Sequence, residues 1–108
     1  MANDKERQVR WDVAENPNTT TETLDKLAND DDTDILEGVA GNPNTSVETL
    51  EKLSNHEHPY VSQKAKQTFL QKESGFDISK LSPEIREKVK DWDIEEIKKF
   101  IGFLKNQK

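Results

Sequence analysis

Cysteine is absent from these 108 residues, which removes disulfides, thiolate nucleophiles and cysteine-ligated zinc or iron–sulfur sites together. Long apolar runs are missing too. Nowhere do enough consecutive hydrophobic residues occur to span a bilayer, and the opening "MANDKERQVRWD" lacks the apolar stretch of a secretion signal. A soluble, cytoplasmic protein with no membrane partner is therefore expected. Glycine is scarce, with 4 residues and no glycine-rich phosphate cradle among them. Leu, Ile, Val and Phe together number only 24, close to the limit below which chains fail to fold, so their placement must be regular.

That regularity is visible. The stretch "VAENPNTTTETLDKLAN", residues 13–29, returns as "VAGNPNTSVETLEKLSN", residues 39–55, a period of 26 residues. Aligning Val9, Ile35 and Val61 extends the period to a degenerate third copy. Val9 with Val13, and Ile35 with Val39, have the i, i+4 spacing of one buried helical face. Each such helix must end at Asn16 or Asn42, because Pro17 and Pro43 disfavour helix in the residue before them. Thr19 with Glu22, and Thr45 with Glu48, fit a capping box that starts a second helix, whose stripe is Leu24 and Leu27, then Leu50 and Leu53. Asn16 and Asn42 are placed to satisfy loop backbone groups across a stack.

The next helices should start at Asp32 and at His58, the latter followed by Pro59 in the first helical position. In the third copy Thr68-Phe69 replaces Asn-Pro, which predicts one longer helix to about Lys72. Ser82 and Pro83 then start a helix with Ile85, Val89 and Trp92 on one face, and Asp93 with Glu96 starts a last one. Ile94, Ile97, Phe100, Ile101, Phe103 and Leu104 supply its apolar face.

"VRWDVAENPNTTTETLDKLA" and "ILEGVAGNPNTSVETLEKLS" resemble the units of the leucine-rich repeat variant family, relatives of HEAT-like helical solenoids. The resemblance covers residues 9 to about 66 and departs from the family's pattern at Leu36, where arginine is expected, and at Lys66, where alanine is. It implies an all-α fold: a short right-handed solenoid of stacked helices with two repeats, 9–34 and 35–60, and a degenerate third, 61–72. Amphipathic helices within 81–108 would cap it, making one domain of 1–108, because two repeats cannot stand alone. Some family members hold a cysteine-bound iron–sulfur cluster; this chain has no cysteine to do so, and no cofactor is expected.

Charge divides the chain. Residues 1–60 carry 5 Lys/Arg against 14 Asp/Glu, a balance of −9, whereas 61–108 carry 11 against 8, a balance of +3. An acidic repeat surface argues against direct nucleic-acid binding and for a protein partner with a basic surface. Trp11 occupies the register place of Glu37 and Gln63, where polar residues face outward, so it either packs against the N-terminal arm or a neighbouring element or stands exposed as the anchor for a partner. Asp30, Asp31, Asp32, Asp34 and Glu37 are the candidate acidic contacts. The aspartates have a D-x-D-x-D spacing, but the glycine and glutamate that a calcium loop needs are replaced by Ile35 and Gly41.

His56 and His58 in the equivalent loop are an incomplete metal-ligand set. No nucleophile and base pair stands out, so the expected function is a non-catalytic protein-protein interaction or adaptor module, a regulatory role among its options. Two alternatives stand beside it: a small metal-dependent enzyme or factor using the His56/His58 edge, and an acidic mimic of nucleic acid that occupies a basic groove.

Overall fold

A computed structural model describes residues 4–75, 80 and 82–106, and every regular element among them is helical. In chain order they are α1 (Asp4–Glu15), α2 (Thr21–Leu27), α3 (Thr33–Gly41), α4 (Val47–Ser54), α5 (Pro59–Ser74), α6 (Pro83–Asp91) and α7 (Ile94–Lys105). Helix α3 packs between α1 and α5, α4 packs on α5, and α7 closes the far side of α5. The molecule is accordingly elongated, 52 × 24 × 21 Å.

Local chemistry sets most boundaries. α1 and α3 stop ahead of Pro17 and Pro43. α5 starts with Pro59 and, having no second proline at Thr68-Phe69, runs beyond Lys72 to Ser74, where Gly75 adopts the left-handed conformation, φ 69°. Asp93 and Glu96 form the capping box of α7: the Glu96 N–H donates to Asp93 at 2.9 Å and the Asp93 N–H donates back at 3.4 Å.

The capping boxes expected at Thr19 and Thr45 are not there. Thr20 and Ser46, one residue later, cap α2 and α4 by accepting from the N–H groups of Thr23 and Thr49. Thr19 and Thr45 turn the other way, and their hydroxyls donate to the carbonyls of Val13 and Val39 at 2.6 Å each. The hydroxyl serves the orphan carbonyls that end the preceding helix, not the N–H groups that begin the next.

One core runs through the molecule. Leu24, Ile35, Val39, Leu50, Val61, Ala65 and Leu70 are wholly buried, and Val89, Ile97 and Ile101 extend the core into α6 and α7. Val9 breaks the expectation that it shares this core. It is 60% exposed, whereas Ile35 and Val61 at the same register place are 0% exposed: none of the described helices covers it. Phe103 is also 59% exposed, so the buried stripe of α7 is narrower than its apolar residues suggest, with Ile97 and Ile101 at its centre. Trp92 lies just past α6, half-buried, its ring edge-on to Phe100 at 5.3 Å.

The two Asn-Pro-Asn loops are zipped together. Asn42, 3% exposed, donates from its side-chain amide to the carbonyls of Ala14 and Asn16, both at 2.9 Å. Asn44 donates to the carbonyls of Pro17 and Thr19 at 2.6 and 3.0 Å, and the Thr21 hydroxyl donates to the Asn44 carbonyl at 2.7 Å. Asn16 is exposed and grips no other loop among the described residues; its side-chain oxygen accepts from Asn18 N–H, at 2.8 Å.

Asn42→Ala, by stranding the buried Ala14 carbonyl, should therefore lower stability by about 1–3 kcal/mol, while Asn16→Ala costs clearly less. Urea unfolding of both variants tests this, and equal losses would show that the zipper does not depend on Asn42. Removal of residues 92–108, which takes away Ile97 and Ile101, should lower the melting temperature or cause aggregation; a truncated chain that melts like the parent would show that α7 does not cap the core.

Candidate functional site

Three of the four clustered aspartates are engaged inside the fold. Asp30 takes the Arg10 Nε–H at 2.8 Å on one oxygen and the Asp32 N–H at 2.9 Å on the other. Asp32 caps α3 through the Asp34 N–H, at 2.9 Å, and also pairs with Arg7. Arg7 bridges Asp32 and Asp34, so α1 grips the entry of α3 through one guanidinium. Asp31 is exposed and makes no ion pair among the described residues.

The hydrogen bond from Arg7 is the largest influence on Asp32 and holds its carboxyl below the ordinary carboxylate range. A depressed folded-state value means stability that is complete above the unfolded value, near 3.8, and lost as pH falls through the lower folded value. Acid unfolding should thus show a component below about pH 4 that Arg7→Ala removes, leaving a shallower slope there. Denaturant midpoints of parent and variant between pH 5 and pH 2 measure it, and parallel curves would show that the pair adds nothing.

The histidine loop is built differently from its aspartate counterpart. His56 Nδ1 accepts from the His58 N–H at 3.0 Å, the same two-residue turn that Asp30 makes with Asp32. His58 precedes α5 without a side-chain cap, tilts against Tyr60 with ring centroids 6.0 Å apart, and keeps a buried Nδ1 without a hydrogen-bond partner. A metal could use His56 Nδ1 only by breaking that turn. No group of three potential ligands occurs among the described residues.

The outer face of α1, α3 and α5 carries the remaining chemistry. Trp11 is 38% exposed on α1. In the same register place, Glu37 on α3 is half-buried and has neither a hydrogen bond nor an ion pair among the described residues. Tyr60, 67% exposed, stands beside it where α5 begins. Glu37, Tyr60, Gln63, Lys64 and Gln67 together line a cleft of about 310 Å³.

Sequence reasoning singled out Trp11 and Glu37 as candidates and did not single out Tyr60 or the glutamines. The available signal was that Tyr60 takes the register place of Asp34, and that Gln63, Gln67 and Gln71 recur every four residues. No family model matches the chain, and neither a curated protein nor a solved structure matches it. No described helix is long and apolar enough to cross a membrane.

Proposed function

We propose that the chain is a non-catalytic protein-binding module that contacts its partner through the outer face of α1, α3 and α5. Its units would stack as a short right-handed helical-repeat solenoid of the leucine-rich repeat variant kind. The recurrence of equivalent hydrogen bonds, Thr19 to Val13 and Thr45 to Val39, Asn18 to Asn16 and Asn44 to Asn42, supports that stacking.

One observation carries the functional reading: exposed Tyr60 shares a cleft with Glu37, a half-buried carboxylate without a counterion among the described residues, and exposed Trp11 holds the register place of Glu37 one period earlier. Tryptophan and tyrosine are the residue types enriched in binding hot spots. The −9 balance of residues 1–60 favours a partner with a basic surface. Asp30, Asp32 and Asp34 would act on that partner only at long range, since Arg7 and Arg10 already hold them. Direct contact falls to Trp11, Glu37 and the free Asp31.

Affinity capture with the full chain, followed by titration of the recovered partner, tests this. Trp11→Ala should weaken binding by about 2 kcal/mol, roughly thirtyfold, and raising salt should weaken the parent further. If Trp11→Ala and Glu37→Gln both fold and bind as the parent does, the outer face is not the binding face.

A further inference from the structure

Along its outer flank α5 carries Gln63, Gln67 and Gln71. A step of four residues advances about 6 Å along a helix, so the three carboxamides form a row on one side. None of them makes a hydrogen bond among the described residues. They line the trough between α3 and α5. One depression there holds Glu37, Tyr60, Gln63, Lys64 and Gln67; a second, about 390 Å³, is lined by Gly41, Pro43, Thr68, Gln71 and Lys72. The stem of Lys64 lies over Gly41, where an added Cβ would come within 2.8 Å of the lysine Cε.

A row of free carboxamides fits one kind of occupant well. Each glutamine offers both a donor and an acceptor, and an extended chain presents its N–H and C=O groups with a two-residue repeat of about 6.6 Å. The mismatch with the 6 Å helical step is within reach of a flexible glutamine side chain. A bound helix would offer no free backbone groups, and a phosphate backbone would meet the charge of Glu37.

At the Tyr60 end, Glu37 lacks a counterion beside an exposed aromatic ring, which is the pairing that receives a guanidinium or ammonium group. Lys64 across the cleft opposes such a cation, and Lys72 at the other end is held by the Pro43 carbonyl at 2.9 Å.

The geometry points to an extended-peptide site in this trough: an unstructured segment of another protein, its backbone paired with Gln63, Gln67 and Gln71, and one Arg or Lys side chain set against Glu37 and Tyr60. The inference rests on the protein-binding reading above but uses residues separate from Trp11. A display library of random heptapeptides selected on the full chain is the probe. The selected peptides should share one basic position, and their binding should shift the side-chain amide resonances of Gln63 and Gln67.

The double variant Gln63→Ala/Gln67→Ala should lose about tenfold or more in affinity. Glu37→Gln should abolish the preference for a basic residue, and Lys64→Gln should strengthen basic peptides several-fold. Melting curves matching the parent establish that these exposed or half-buried changes leave the fold intact. No enrichment, an acidic consensus, or shifts confined to α7 around Phe103 would overturn the site. If the trough variants bind a captured partner normally while Trp11→Ala does not, the trough proposal fails and the outer-face reading stands.

Discussion

The side-chain amide of Asn42 is the contact on which the packing of the first four helices turns. The carbonyls that end α1 have no intrahelical partner, and burying them against α3 requires donors from elsewhere. Asn42 supplies two, to Ala14 and Asn16, while its own oxygen accepts from Asn44 N–H at 2.9 Å and fixes the turn that aims the amide. With the loop so held, Asn44 reaches Pro17 and Thr19, and α3 approaches α1 until an added Cβ on Gly38 would come within 2.9 Å of the Ala14 Cβ. Glycine is required there by that approach, since any side chain would force the two helices apart.

Boundaries that depend on one or two neighbouring residues could be read directly. Pro17 and Pro43 stop helices, Pro59 and Pro83 start them, and the loss of Asn-Pro at Thr68-Phe69 lets α5 run on. What could not be read depends on partners far along the chain. Thr19 fits a T-x-x-E pattern by spacing, yet its hydroxyl is claimed by a carbonyl six residues back, and the cap falls to Thr20. Val9 matches Ile35 in type and register but differs in burial, because periodicity cannot say which apolar positions another helix covers. At the candidate site register placed Glu37 outward and left Trp11 between packing and exposure, whereas the engagement of Asp30, Asp32 and Asp34 by arginines 20 to 27 residues away could not be read from it.

The segmental charge does not show which carboxylates are open, for the same reason. The balance of −9 already counts Arg7 and Arg10, and these two hold three of the carboxylates at the entry of α3, so the net charge persists while those groups are engaged. Asp32 serves two ends at once, capping the helix and receiving Arg7, so its charge stabilises the junction between α1 and α3. Exposed pairs of this kind add little singly; sharing Arg7 between two acids lowers the entropic cost of each.

The next junction shows why a candidate site lies between α3 and α5 and not between α1 and α3. One period on, Arg7 becomes Thr33 and Arg10 becomes Leu36, while Asp30, Asp32 and Asp34 become His56, His58 and Tyr60. Both halves of the electrostatic clamp are thus replaced together. Leu36, where the family resemblance expects arginine, is 3% exposed and packs in the core. Apolar burial takes over the work of joining the helices, and the residue that stood in an ion pair is now a tyrosine facing solvent. With no arginine reaching across α3, Glu37 keeps its charge uncompensated and the flank of α5 keeps its glutamines free. The polar groups available to a partner are those that the missing clamp leaves over.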